Sequence, residues 1–139
     1  MYSKEDRIIG YIAGSIILLF VSYFLFGFLE RNRYFENTEA EKKIKIAVVT
    51  DVLVGGKVGP RFEYEFIVNE VKYVSSYSLE ADLSVKPRSE LMEYVGNRYY
   101  VKYSVEKPKY NELLLNHRRI KNDSLEAPTG GWAVDGYWH

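Results

Sequence analysis

Apolar side chains run without a charge from Ile8 to Leu29, 22 positions bounded by Arg7 and Glu30. At about 1.5 Å of rise per residue a helix of that length spans roughly 33 Å, enough for a hydrocarbon core of about 30 Å. Ser15 and Ser22 interrupt the run, and a helix backbone can satisfy their hydroxyls. Tyr23, Phe24, Phe26 and Phe28 crowd its second half, as an interfacial aromatic belt would. The run exceeds a signal-peptide core of about 7–15 residues, and no small-x-small cleavage site follows Phe28. The pattern therefore predicts a short tail over 1–7 and one retained transmembrane helix over 8–29.

Residues 30–43 are charged with mixed sign and read as a solvated linker, into which the membrane helix can continue for a turn or two, since Glu39-Ala-Glu-Lys-Lys43 is helix-friendly. The period then becomes strand-like. Ile44, Ile46 and Val48, and after a shift Val52 and Val54, mark a first strand. Gly55-Gly-Lys-Val-Gly-Pro60 is a turn cluster. In Arg61–Val68, Phe62, Tyr64, Phe66 and Val68 alternate with Arg61, Glu63 and Glu65, the signature of a half-buried strand. Asn69-Glu70 reads as a two-residue hairpin connection to Val71–Val74. The polar, aperiodic stretch 75–87 predicts a loop, and 89–96 a short helical turn ending at Gly96. Tyr99, Val101, Tyr103 and Val105 share one face of the next strand, Pro108 stops it, and Asn111–Leu115 allows a last short one. The expected fold is all-β: a small antiparallel sheet or partly open barrel of about five strands over 44–115, behind the transmembrane α-helix. Residues 116–139 read as an extended, aromatic-containing tail.

Composition narrows the function. The chain has 139 residues, no cysteine, two histidines, and 19 basic against 19 acidic side chains. A net charge of zero argues against nucleic acid as a partner. The missing cysteines exclude disulfides, thiolate metal sites and cysteine nucleophiles. Thirteen tyrosines in a chain that is 16% aromatic fit a β-rich core.

No catalytic set assembles. His117 and His139 lie far apart without metal-ligand spacing, no G-x-S-x-G motif is present, and Glu63 and Glu65 read as a solvent face. The glycine cluster 55–59 lacks the G-K-[ST] of a phosphate loop. No cofactor and no metal is expected. Three groups remain as interaction candidates. Gly10 and Gly14, with Ser15, form a small-xxx-small face that lets a second helix approach closely, either another copy or a partner. Trp132, Tyr137 and Trp138 are aromatic anchors for a partner or a membrane interface, or else dock on the chain's own sheet. His117, Arg118 and Arg119, with Lys121, could meet phosphates or anionic headgroups, although a solvated loop is the simpler account. Orientation stays open: four basic residues after the helix against two before it favour a cytoplasmic domain, while the short N-terminal tail resembles an export anchor.

Three stretches carry a family resemblance: Val49-Thr-Asp-Val52; Tyr64-Glu-Phe-Ile-Val-Asn-Glu-Val-Lys-Tyr73; and Gly96-Asn-Arg-Tyr-Tyr-Val-Lys-Tyr103 running on to Pro108 and Glu112-Leu-Leu-Leu115. In this order, behind an apolar helix, they resemble an uncharacterised bacterial family of small single-pass membrane-anchored proteins with a β-rich domain. Glu70 departs from the glycine such a hairpin carries. The resemblance implies an anchor in the cytoplasmic (inner) membrane and a β-fold, and no activity. The expected function is non-enzymatic: the lipid bilayer holds the helix while the β-domain binds another membrane or envelope protein as an accessory subunit. The alternative is a membrane-anchored immunity or inhibitor protein that neutralises a toxin or enzyme.

Overall fold

A computed structural model describes residues 3–116 and 119–135. Helix α1 spans Lys4–Arg31. A capping box starts it: the Ser3 hydroxyl accepts from the Asp6 amide at 3.2 Å, and the Asp6 carboxylate accepts from the Ser3 amide at 2.9 Å. These bonds occupy amide donors that a helix start leaves open. No residue of α1 is buried, so none of the described residues covers its apolar surface. The helix passes into a π-helical turn, Asn32–Glu36, and the chain turns through Asn37, whose side-chain oxygen accepts from the Glu39 amide. The expected solvated linker is thus partly structured, because Phe35 is buried at 3% exposure. The helix does continue beyond Leu29, to Glu36, while residues 39–41 form no helix.

Among the described residues six antiparallel strands follow: β1 Lys42–Leu53, β2 Arg61–Val68, β3 Val71–Ser78, β4 Arg98–Ser104, β5 Asn111–Leu113 and β6 Trp132–Ala133. The sheet order is β3-β2-β1-β4-β5, with the two-residue β6 beside β1 at Lys43 and Ile44. The five principal strands curve into a half-barrel. Its concave side buries Ala47, Val49, Val52, Phe62, Tyr64, Phe66, Val68, Tyr99, Val101, Tyr103 and Leu113. Short helices α2, Ala81–Ser84, and α3, Arg88–Leu91, followed by a 3₁₀ turn, connect β3 to β4 and drive Leu91 into this core.

The alternation in β2 holds along its whole length. In β1 a register shift between Val49 and Asp51 keeps both Val49 and Val52 on the concave side. Ile44, Ile46 and Val48 lie on the convex side instead, opposite Lys102, Tyr100 and Arg98. A central strand apolar on both faces leaves no alternation to say which face is the core. Strand β3 extends through the serine-rich stretch expected as loop, because Tyr73 and Tyr77 hold the period and pair with Phe66 and Phe62. β4 ends at Ser104, and Val105 lies outside it, exposed.

Asn69 and Glu70 both adopt positive φ, 49° and 67°, in a two-residue turn closed by Val68 opposite Val71. This is the primed geometry that matches strand twist, and it disfavours a glutamate. Glu70→Gly is expected to stabilise the domain by about 1 kcal/mol. A thermal melt should move upward by about 4–8 °C.

The C-terminal segment crosses the convex face. The Ile120 amide donates to the Arg98 carbonyl at 2.9 Å. The Arg98 guanidinium donates to the carbonyls of Asn122 and Leu125. Trp132 then packs edge-on against Tyr100, with ring centroids 6.0 Å apart. Gly131 is required at that crossing: its φ is +76°, and a Cβ there would lie 2.8 Å from the Ile44 carbonyl oxygen.

Candidate functional site

Polar side chains gather where α1 meets the half-barrel. Glu30 is the first charge after the apolar run, and the tight turn Lys107-Pro-Lys-Tyr110 between β4 and β5 folds onto it. The Lys107 ammonium donates to Glu30 Oε1 at 2.8 Å, and the Tyr110 hydroxyl donates to Oε2 at 2.6 Å. Lys109 adds a third contact to Oε2 at 3.6 Å. Tyr34, on the turn after α1, stacks parallel to Tyr110 with centroids 6.3 Å apart, and Lys107 lies 4.5 Å from the Tyr34 ring. On the other side of the junction, Arg31, Lys42 and Lys102 all approach the ring of buried Phe35.

The contacts continue into the core. Asn111 donates through its amide nitrogen to the carbonyls of Pro108 and Lys109 at 3.0 and 3.1 Å, which holds the turn's shape. Its side-chain oxygen accepts from the Tyr64 hydroxyl, a bond from β5 across the concavity to β2. Burial raises the Tyr64 pKa, so that hydroxyl remains a donor. A continuous chain of contacts thus links the helix end, the β4–β5 turn and the middle of the core.

Electrostatics favour an ionised Glu30. Hydrogen bonds from Lys107 and then Tyr110 lower its pKa to about 2. The same bonds raise the pKa values of Lys107 and Tyr110. A depressed carboxylate contributes stability above its ordinary value of 4.5 and loses that contribution as pH falls through about 2. The junction should therefore stay closed from neutral pH to well below 4.5 and loosen near 2. Glu30→Gln leaves Lys107 without its anion at every pH. Amide exchange over 105–110 is expected to quicken by about tenfold in that variant at pH 7, while wild type keeps its protection.

A polar cleft of about 360 Å³ opens next to this junction, along the seam between β3 and β5. Arg31 and Lys109 line it on the junction side, with Glu80, Glu112, Ser75 and Ser78 around the rest. Elsewhere, Lys45 falls on the concave face opposite Val101 at 9% exposure, and burial lowers its pKa. Among the described residues no three His, Cys, Asp or Glu side chains gather as metal ligands.

The residues singled out from sequence are spread over the molecule. Gly10, Gly14 and Ser15 lie on the exposed helix. A Cβ at either glycine meets nothing within 4 Å, and the Ser15 hydroxyl donates back to the Tyr11 carbonyl at 2.8 Å. Trp132 is half-buried on the convex face. Arg119 is exposed beside buried Ile120. His117, Arg118, Tyr137 and Trp138 lie outside the described residues. Sequence reading missed the Glu30 cluster, since its partners stand 77 and 80 residues away. The one available signal is a carboxylate placed directly after an apolar run.

Compared with protein-family models, curated proteins and solved structures, the chain matches none.

Proposed function

We propose that this chain is a non-enzymatic, single-pass protein of the bacterial cytoplasmic membrane whose β-domain docks another membrane or envelope protein as an accessory subunit. The observation that carries this reading is the pairing of an uncovered apolar helix with a sheet held at its end. Helix α1 runs 28 residues with none buried, so its apolar surface needs lipid or other helices. The Glu30 cluster and Phe35 couple the domain to that helix through side-chain contacts rather than through a long free tether.

A docking surface for the partner is available on the Val71–Val74 half of β3, away from the seam that Ser75–Ser78 form with β5. β3 is an eight-residue edge strand, and an edge offers unpaired backbone groups to an added strand. Beside it on the convex face lie exposed Val74 and Ile67, leading to a groove lined by Ile46, Val48, Arg98 and Glu126. On α1, the open face at Gly10 and Gly14 offers a second contact, to another copy or to a partner helix.

Three measurements test this. The cysteine-free chain takes a single label site at exposed Ser124. In intact cells, reaction of Ser124→Cys with an impermeant maleimide before lysis puts the domain outside the cytoplasm, and reaction only afterwards puts it inside. Photo-cross-linking side chains at Lys72 and Val74 should then give one discrete protein adduct, absent from a probe at Val85 on the β3–β4 connection. Equal or absent adducts at all three positions would count against the edge. Gly10→Leu with Gly14→Leu should release any partner held by the helix face.

A further inference from the structure

The cleft between β3 and β5 is lined by charges of both signs, of which Lys109 also serves the junction and Glu112 also pairs with Lys102 at 3.6 Å. It brings two cations, Arg31 and Lys109, and two carboxylates, Glu80 and Glu112, into one polar slot of about 360 Å³. That volume lies within the range of small-molecule sites, about 300–1,000 Å³. A simple anion entering it would meet both carboxylates, and a simple cation would meet both basic groups. A ligand carrying both signs satisfies the two sets together. Ser75 and Ser78, on opposite faces of β3, both border the slot.

Position points to the same kind of ligand. Arg31 is the last residue of α1 and lines the cleft. It stands two positions after Leu29, where the apolar run ends. If α1 crosses a bilayer, as proposed above, the cleft mouth stands at the depth of the headgroups. The cations there keep part of their surface open: the side chain of Arg31 is 43% exposed and that of Lys109 60%. Three of the four charged groups are already steadied by a neighbour, Arg31 by Glu36 at 3.3 Å, Lys109 by Glu30 at 3.6 Å and Glu112 by Lys102 at 3.6 Å, and Glu112 keeps 49% of its side chain exposed.

We infer that the β3–β5 cleft binds a phosphate ester bearing a primary ammonium, the chemistry of a phosphoethanolamine headgroup, with Arg31 and Lys109 on the phosphate and Glu80 and Glu112 on the ammonium. A quaternary ammonium has no N–H to give those carboxylates, so the slot discriminates against choline headgroups. The inference rests on the membrane reading for the lipid as source. The chemistry of the slot also suits a soluble ester.

The test uses the full chain, reconstituted in nanodiscs of phosphatidylethanolamine, phosphatidylcholine and phosphatidylglycerol in equal parts. Lipid retained on gentle release is then read by native mass spectrometry. Enrichment of the ethanolamine lipid by about tenfold over the choline lipid is expected, the ratio that 1.4 kcal/mol of charge-assisted contact produces. Glu80→Gln with Glu112→Gln should return the ratio to that of the bulk mixture without changing the near-ultraviolet circular dichroism. Bulk composition in the wild type, or unchanged enrichment in the variant, would overturn the proposal. If the chain does not enter nanodiscs, the membrane reading fails on its own. Titration with soluble phosphoethanolamine then decides: amide shifts confined to 75–80 and 109–113 support the slot with a soluble ligand, and their absence overturns it.

Discussion

Arginine at both Leu18 and Leu19 is expected to prevent the chain from integrating into membranes. The two positions lie at the middle of the 22-residue uncharged run, where an arginine costs about 2.5–3.5 kcal/mol on insertion. Both side chains are bare in the structure, 67% and 70% exposed, so no fold contact is lost by the change. Adjacent helix positions are about 100° apart, so the two arginines cannot share one sheltered direction. Alkaline extraction of membranes should leave the wild type in the pellet and move the double variant to the supernatant. Ser15→Leu, on the same helix, should remain in the pellet. A double variant that stays membrane-bound would mean that other protein surrounds the centre of α1, and the single-span reading would have to give way to a helix buried in a complex.

Phe62→Ala is expected to unfold the β-domain or bring it to the edge of unfolding. The ring has no exposed surface and sits in the concave core, 5.0 Å from the Tyr94 ring between centroids. Its cross-strand neighbours are Val52 and Tyr77. Removing a buried phenylalanine costs about 3–5 kcal/mol, because the cavity adds to the lost transfer energy. A domain of this size has a total of about 5–15 kcal/mol, and a half-barrel with an open seam has few neighbours able to fill the void. Urea unfolding of the full chain in nanodiscs, followed by near-ultraviolet circular dichroism, measures the loss. The matched control is Ile67→Ala on the convex face, where the side chain is 58% exposed and the change should stay within about 0.5 kcal/mol. Comparable losses at both positions would mean that the convex face is as much a core as the concave one.

The contrast between these residues shows how legibility varies along the chain. Phe62 announces itself because β2 is polar on its other face, so alternation alone identifies the buried side. β1 hides its orientation, since Ile44, Ile46 and Val48 are as apolar as Ala47, Val49 and Val52. Only the cover on each side distinguishes them: Trp132 pairs with Ile44 on the convex face, while Phe62 pairs with Val52 on the concave one. Ser75–Ser78 reads as loop because serine has weak strand preference, yet its backbone pairs with β2 along the whole length. Tyr73 and Tyr77 were the available clue, four positions apart and on one face of a strand.

The junction is the extreme case. Glu30, Lys107, Lys109 and Tyr110 are ordinary charged and aromatic residues in their own neighbourhoods, and no short-range pattern ties them together. Trp132 is legible only as an aromatic in a glycine-rich tail, and its place against Tyr100 depends on the path of the segment that Arg98 holds.

The sequence by itself determined the long apolar helix, the inward faces of β2 and β4, and the Asn69–Glu70 turn, because each is written within a few residues as a run, a period or a turn dipeptide. Only the tertiary structure decided the strand order β3-β2-β1-β4-β5, the closure of Glu30 by residues 77 to 80 positions later, and the strap across the convex face. Those features are contacts between distant segments, chosen by which surfaces fit once the chain has collapsed, and local periodicity carries no record of that choice.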